Sequence, residues 1–176
     1  MNFFDEKSNV SQYIEMTKDY KGDEMIKYLL PHLKNGSTLL ELGMGPGKDL
    51  DFLSKTYKVT GSDSSQAFLD LYSEKNSDIA LIKLDAATIK IDNKFNCIYS
   101  NKVLHHLTKV DLAASIKRQT EVLEVEGIIF HTFWLGQGLE DYDGLLFHYY
   151  SIDDIKNLFD KYFEILEIEM YKEEEA

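Results

Sequence analysis

The segment from Thr38 to Asp49, which reads TLLELGMGPGKD, constrains the fold of this chain more than any other stretch. Its first half is apolar apart from Glu41 and predicts a buried strand that ends at Leu42. Glycine then occupies alternate positions, where it allows the backbone to turn sharply and lets a ligand lie against the main chain. These glycines are Gly43, Gly45 and Gly47. The segment therefore predicts a strand, a tight turn and a helix N-terminus that together cradle a small molecule.

The spacing of these glycines differs from that of a dinucleotide-binding turn. A G-x-G-x-x-G pattern requires Gly or Ala at position 48, and the chain has Lys48 there. Glu41 before the turn and Asp49 after it also place negative charge where a pyrophosphate would bind. We therefore expect a ligand whose end at this turn is not a phosphate.

Composition limits the classes of protein and partner. The 176 residues predict one domain covering the whole chain, and a single Cys97 excludes an internal disulfide. With 31 acidic and 19 basic residues the net charge is −12, so neither nucleic acid nor an anionic membrane is expected as a partner. No apolar run reaches the length of a membrane span, and the N-terminus has no basic region followed by an apolar one. We expect a cytoplasmic protein.

Segments of strand and helix character alternate along the chain. Strands are predicted at residues 38–42, 57–61, 79–84, 95–100, 127–134 and 163–170. Helices are predicted in two pieces over residues 10–33, over 48–55, after a cap at Ser64, from Thr108 to about residue 125, and after Ser151. Residues 135–146 are expected to form a loop rich in glycine and acidic residues. This alternation predicts an α/β fold, a Rossmann-like, doubly wound and mostly parallel sheet with helices on both faces.

Polar residues follow the predicted strands at the edge where such folds bind ligands. Asp63 lies about twenty residues after the glycine turn, the spacing at which a carboxylate accepts hydrogen bonds from ribose hydroxyls. Asp85 ends the next strand and is placed to accept from an exocyclic amine, and Asn101 ends the fourth. The pattern indicates a ligand with a ribose, an amine-bearing base and an end compatible with Glu41.

These motifs, in this order and spacing, resemble those of class I S-adenosylmethionine-dependent methyltransferases of the small single-domain type. The resemblance rests on ELGMGPG at 41–47, GSDS at 61–64, LDA at 84–86, FNCIYSNKVLHHL at 95–107 and LEVEG at 123–127. It implies that S-adenosylmethionine is the cofactor, with Glu41 and the turn holding its methionine part. The residues that it assigns to the cofactor are Glu41, Gly43, Met44, Gly45, Gly47, Asp63, Ser64, Asp85, Ala86 and Asn101. The family sheet also has a seventh strand, which this sequence does not clearly provide after the sixth.

The acceptor side is less well defined by sequence. A general base is needed only if the acceptor must lose a proton, and the candidates are His105, His106, His148 and Tyr149. The adjacent His105 and His106 have no partners at metal-ligand spacing, so no metal is expected. Residues 1–35 are expected to form N-terminal helices that cover the cofactor crevice. The predicted function is methyl transfer to a small-molecule acceptor by a monomer or weak homodimer. The alternatives are a nicotinamide-dependent oxidoreductase and a module that binds S-adenosylmethionine without catalysis.

Overall fold

The fold is built on a parallel sheet, seen here in a computed structural model that describes residues 3–172. Its five strands are β1 (Thr38–Leu42), β2 (Lys58–Asp63), β3 (Ala80–Lys83), β4 (Phe95–Ser100) and β5 (Leu123–His131). Their order within the described residues is β3-β2-β1-β4-β5, and all neighbours run parallel. An antiparallel hairpin of β6 (Gly138–Tyr142) and β7 (Leu145–Tyr149) follows as a separate sheet. The predicted α/β class with a mostly parallel sheet is confirmed.

Helices connect the strands. They are α1 (Lys7–Met16), α2 (Ile26–Leu29), α3 (Lys48–Leu53), α4 (Gln66–Ser73), α5 (Lys109–Val122) and α6 (Ile152–Phe159), with short 3-10 helices at Phe3–Asp5 and Leu104–His106. Two predicted caps are confirmed: the Thr108 side chain accepts from the backbone of Asp111, and Ser151 with Asp154 forms a capping box. Among residues 3–172, no helix is both long and apolar enough to cross a membrane.

The sheet separates two apolar cores. Leu39 packs on one face with residues of α3 and α4, whereas Leu40 and Leu42 pack on the other face with residues of α5 and α6. Successive side chains of a strand point to opposite faces, so β1 contributes to both cores. This explains why leucines occur on both faces of β1, as is typical of a strand covered on both sides.

The predicted sixth strand is not observed. Residues 163–170 form no strand in the part of the chain that the structure describes, and Leu166 and Met170 are 60% and 67% exposed. The alternation of apolar and acidic residues there expresses only a local preference, and a strand forms only when its backbone groups pair with a neighbour. Within the described sheet, β5 is therefore an edge strand.

Two further boundaries differ from the predictions. Helix α5 ends at Val122 and β5 begins at the next residue, whereas the sequence predicted helix to about residue 125. The pairing then jumps from Leu123, opposite Phe95, to Ile128, opposite Cys97. Residues 124–127 bulge out of the ladder at this point, which is how acidic residues are accommodated inside a strand.

The segment 135–146 was predicted to be a loop, and most of it belongs to the β6–β7 hairpin. Asp143 and Gly144 connect the two strands with φ of +49° and +89°, and the Gly144 N–H donates to Asp141 Oδ1 at 2.7 Å. Asp-Gly is the dipeptide that favours a two-residue hairpin turn with positive φ at both positions. That dipeptide was the sequence signal for the hairpin.

The N-terminal region and the start of α4 also depart from the predictions. Only α1 and the single-turn α2 are α-helical in the region 10–33, and the residues between them are irregular. The N-cap of α4 is Ser65 and not Ser64. The Ser65 hydroxyl makes no cap hydrogen bond and instead donates to the Phe4 carbonyl at 2.7 Å, which ties the N-terminus to α4.

The strand order indicates where along the sheet edge a ligand binds. Chain connections run from β1 to β2 and β3 on one side, and then return to β4 and β5 on the other. The order reverses between β1 and β4, and ligands of open α/β sheets bind beyond the carboxyl ends of the strands at such a switch point. Glu41 and Asn101 lie at the ends of these two strands.

Candidate cofactor site

In the glycine turn, residues 43–47, close packing requires glycine at two positions, whereas the third glycine has free space around it. A Cβ on Gly43 would lie 2.6 Å from Val103 Cγ1, and a Cβ on Gly47 would lie 2.2 Å from the Tyr72 ring. Gly45 has φ of +50°, and its nearest neighbour would be a Tyr13 ring carbon at 3.6 Å. A side chain at Gly45 thus meets no close protein atom, which leaves the backbone there accessible to a ligand.

Asp63, at the end of β2, holds the glycine turn in place. Its carboxylate is 6% exposed and accepts from the backbone N–H groups of Gly45 at 2.9 Å and Ser65 at 2.8 Å. Burial raises the pKa of Asp63, and hydrogen bonds from the backbone of Ser65, Gly45 and Ser64 oppose that rise. A carboxylate offers about four acceptor positions, so Asp63 retains capacity for further donors.

Glu41 is the most unusual group of the site. Its side chain is 3% exposed, and Oε2 has no hydrogen-bond partner among the described residues. Burial, reinforced by the charges of Asp49 and Asp63, raises the pKa of Glu41 well above its ordinary value. An unpaired buried carboxylate is costly, so this oxygen is suited to receive a donor from a bound ligand, above all a cationic one.

Asp85 and Ala86 follow β3 further along the same edge. Asp85 is exposed, and its Oδ1 accepts from the backbone of Ala87 at 2.7 Å, which fixes the turn. The Ala86 carbonyl accepts from the Ser115 hydroxyl of α5 at 2.6 Å. Both residues are therefore held in a defined position at the edge, beyond the end of β3.

Asn101 and Asp49 form a hydrogen-bonded group that the sequence did not predict. The Asp49 carboxylate, 6% exposed, accepts from Tyr20 Oη at 2.7 Å, Tyr99 Oη at 2.6 Å and Asn101 Nδ2 at 2.9 Å. The sequence pattern gave Asp49 only an electrostatic role beside the turn, because the tyrosines that reach it come from distant parts of the chain. The sequence alone does not reveal that Asp49 is buried behind the turn.

The candidate acid-base residues fall into two groups. His105, His106 and His148 lie together between the 3-10 helix Leu104–His106 and the hairpin, with the His105 and His106 ring centroids 3.9 Å apart. Tyr149 lies at the surface of the hairpin, where its hydroxyl donates to Glu140 at 3.2 Å. The structure thus brings the three histidines together and places the Tyr149 hydroxyl apart from them.

The three imidazoles have different surroundings. His105 is 1% exposed, and within residues 3–172 neither of its ring nitrogens has a partner. Burial, followed by the charges of His106 and Lys102, lowers the pKa of His105 to about 3. His106 is half-buried, and its Nδ1 lies 2.6 Å from the Leu146 carbonyl, so Nδ1 must carry the proton and Nε2 the lone pair.

No group of three metal-ligating side chains in the described part of the chain is arranged to hold an ion. The rings beside the histidines are aromatic instead: Phe147 lies 4.7 Å from His106 and Trp134 lies 6.4 Å from His105, centroid to centroid. The Lys102 ammonium lies over the Trp134 ring at 5.8 Å. This side of the switch point therefore has an aromatic wall beside the imidazoles of His105 and His106.

Taken together, a parallel sheet of this order, a glycine turn after β1 and carboxylates at or just beyond the ends of β1, β2 and β3 are the arrangement of a class I S-adenosylmethionine-dependent methyltransferase. A family model described as "Methyltransferase domain" matches residues 39–127, which is half of the chain. The chain therefore belongs to this methyltransferase family. A solved N-methyltransferase of the same fold, 14% identical to this chain, holds S-adenosylmethionine. The described residues fit S-adenosylmethionine, since the backbone of Gly45 is open and Glu41 Oε2 has no hydrogen-bond partner among residues 3–172.

Solved structures with the same fold are distant in sequence. One is 1,6-didemethyltoxoflavin-N1-methyltransferase of Burkholderia thailandensis, with 1,6-didemethyltoxoflavin and S-adenosylhomocysteine bound: 16% identity, TM-score 0.73, 88% of this chain and 72% of that chain covered. Another is an S-adenosylmethionine-dependent methyltransferase of Clostridium acetobutylicum, with 17% identity, TM-score 0.68, and 88% and 85% covered. A third is an amino pentose methyltransferase of Micromonospora echinaspora, with 13% identity, TM-score 0.69, and 86% and 87% covered.

One relative is found among curated sequences, an uncharacterized 37.1 kDa protein in transposon TN4556 of Streptomyces fradiae. It is 26% identical over an alignment of 126 residues, and the match covers 67% of this chain and 34% of that protein. The chain thus spans about one third of the length of this relative.

Proposed function

We propose that this chain transfers a methyl group from S-adenosylmethionine to a small-molecule acceptor. The observation that carries the proposal is Glu41 Oε2, a buried carboxylate oxygen without a partner among residues 3–172, at the end of the strand that leads into the open backbone of Gly45. An oxygen in this position suits the ammonium group of the cofactor. When bound, the cofactor supplies a methyl group activated by a sulfonium.

Different residues along the sheet edge bind different parts of the cofactor. Glu41 takes the ammonium group, and the turn around Met44 and Gly45 lies against the methionine part. Asp63 uses its remaining acceptor positions for the ribose hydroxyls, next to Ser64. Asp85 and the Ala86 backbone face the adenine. Each of these side chains is either buried or fixed by a backbone hydrogen bond, which reduces the ordering cost of binding.

The acceptor is proposed to bind on the other side of the switch point, against the histidines and the hairpin. An in-line transfer needs the acceptor atom and the methyl carbon to be aligned and water to be excluded, and the aromatic wall of Trp134 and Phe147 serves both purposes. The net charge of −12 supports a small molecule over a nucleic acid. The three solved structures above also carry names of methyltransferases, two of them with small-molecule acceptors in the name.

Where the acceptor must lose a proton, His106 is the side chain best suited to take it. The Leu146 carbonyl fixes Nδ1 as the donor, which leaves the lone pair on Nε2, and His106 is half-buried and so more accessible than His105. His105 is sealed from solvent, and His148 is 7% exposed. Tyr149 lies outside this group.

The experiment for the proposed function is a transfer assay with methyl-labelled S-adenosylmethionine and pooled small molecules, in which product and S-adenosylhomocysteine are both quantified. We expect label in a small-molecule product with an equal amount of S-adenosylhomocysteine. Label confined to added nucleic acid or protein would overturn the small-molecule acceptor. Binding without turnover in any pool would favour the non-catalytic alternative.

A further inference from the structure

Asp49 joins three separate parts of the chain at the cofactor edge. It is the second residue of α3, and its donors are Tyr20 from the N-terminal region, Tyr99 from β4 and Asn101 just after β4. All three hydrogen bonds are between 2.6 and 2.9 Å long and involve a carboxylate, which makes them stronger than bonds between neutral groups.

The same contacts fix the orientation of Asn101. Its Nδ2 also donates to Tyr20 Oη at 2.9 Å, and its Oδ1 accepts from the Thr132 hydroxyl at 2.7 Å. Both amide hydrogens and the carbonyl oxygen are thus used within the protein. The Thr132 hydroxyl in turn accepts from the backbone of Lys102 at 2.8 Å, so the chain of bonds continues to the acceptor side.

The backbone beside Tyr20 lies directly on the start of α3. Gly22 has φ of +78°, and a Cβ there would lie 2.2 Å from the Lys48 carbonyl oxygen. The Lys48 ammonium donates to the Lys18 carbonyl at 3.3 Å. Together with Tyr13, whose ring lies nearest to Gly45, these contacts place the N-terminal region across the glycine turn.

We propose that Asp49 is a positioning residue that docks residues 17–22, through Tyr20, onto the start of α3 next to the glycine turn and orients Asn101 in the same event. The identity of the ligand beneath this segment rests on the proposed function. A cofactor enters and leaves only when Tyr20 separates from Asp49, and when the segment closes the Tyr20–Asp49–Asn101 group re-forms. Burial and the Asp49 charge raise the pKa of Tyr20 and Tyr99, so both hydroxyls stay protonated as donors near neutral pH.

The test uses Tyr20→Phe and Asp49→Asn in the full chain, with Tyr72→Phe as a matched control. Tyr72 Oη donates to Asp51 at 2.7 Å, so the control removes a bond of the same kind and length on the opposite side of α3. We measure amide hydrogen exchange of residues 17–25 in the free protein and the dissociation rate of S-adenosylhomocysteine. Both test variants should exchange about tenfold faster in this segment and release the ligand several-fold faster, and Tyr72→Phe should do neither.

The two readouts separate this inference from the proposed function. If the wild-type chain does not bind S-adenosylhomocysteine, the proposed function fails, and the exchange of the free protein still decides the role of Asp49. Faster release in Tyr20→Phe at an unchanged melting temperature distinguishes positioning from a general loss of stability, and it does not depend on Asp49→Asn folding. Wild-type exchange and release in Tyr20→Phe, or the same change in Tyr72→Phe, would overturn the inference.

Discussion

At the scale of single residues, Glu41 shows a conflict between stability and binding. Its raised pKa means that the folded chain holds the proton more tightly than the unfolded chain does. The stabilisation from that proton is complete below the unfolded pKa of a glutamic acid, about 4.3, and is lost as the pH rises through the folded value. The free protein is therefore less stable near neutral pH because of a side chain suited to a ligand.

Glu41→Gln should remove the loss of folding stability at high pH, because an amide has no proton to release. We expect the free variant to melt about 2 °C or more above wild type at pH 8, with a smaller difference at pH 5, and to bind S-adenosylhomocysteine at least about tenfold more weakly at pH 7. Thermal melts and calorimetry measure the two effects, with the exposed Glu124→Gln as control. Wild-type affinity in Glu41→Gln would show that this carboxylate does not hold the ligand.

Gly45→Ala tests whether the open backbone of the turn faces the cofactor. Gly36 provides the control, since it has φ of +79° and an added Cβ there would have no atom within 4 Å, so alanine at this position carries a similar backbone cost without touching a site. Each variant should lose about 1 kcal/mol of folding stability. Only Gly45→Ala should also lose affinity for S-adenosylhomocysteine, by about tenfold or more in calorimetry; equal affinities in the two variants would contradict the site.

Asp63→Ala should weaken cofactor binding several-fold or more. Hydrogen bonds to a charged group contribute about 1.5–3 kcal/mol each, and the variant also frees the backbone N–H of Gly45. Calorimetry with S-adenosylhomocysteine checks this, with the exposed Asp153→Ala as control and a melting curve to establish folding. A folded Asp63→Ala with wild-type affinity would exclude a role for this carboxylate in binding.

At the scale of elements, local signals predicted β1, the glycine turn, the strand ends at Asp63 and Asn101, and the two helix caps. These features depend on residues close together in sequence. The hairpin had a local signal, Asp143 with Gly144, that was outweighed by the acidic composition around it. The Asp49 group had none, because Tyr20 and Tyr99 lie 29 and 50 residues away from it in sequence.

The contact between the hairpin and the 3-10 helix should make the protein sensitive to acid. The pKa of His105, about 3 in the folded chain and about 6.5 unfolded, means that its contribution to stability is complete above pH 6.5 and is lost as the pH falls towards 3. Between pH 6.5 and pH 5 this amounts to about 1.5 kcal/mol, or about 3–6 °C in melting temperature.

His105→Leu should remove that part of the acid dependence. Melting curves at pH 6.5 and pH 5 should show a smaller drop for His105→Leu than for wild type. Because an apolar side chain replaces a buried ring whose nitrogens have no hydrogen-bond partner among residues 3–172, His105→Leu should also melt higher at pH 5. An unchanged drop in this variant would show that His105 titrates normally in the folded chain.

At the scale of the whole molecule, the strand order and the position of the candidate site agree. The reversal of strand order between β1 and β4 creates the crevice. Glu41 and the glycine turn lie on one side of it, and Asn101 and the histidines lie on the other. Alternation of strands and helices along the sequence was enough to predict this architecture. The sequence could not show that residues 163–170 stay unpaired in the described chain, because strand formation depends on a partner strand and not on the segment itself.

Cofactor binding at the sheet edge is tested most directly by calorimetric titration of the wild-type chain with S-adenosylmethionine, S-adenosylhomocysteine and NAD under one set of conditions. The sheet edge with Glu41, Gly45 and Asp63 predicts saturable one-to-one binding of both adenosyl ligands and no binding of NAD, whose pyrophosphate would meet the acidic turn. Binding of NAD in preference, or no binding of either adenosyl ligand by the folded chain, would contradict the account.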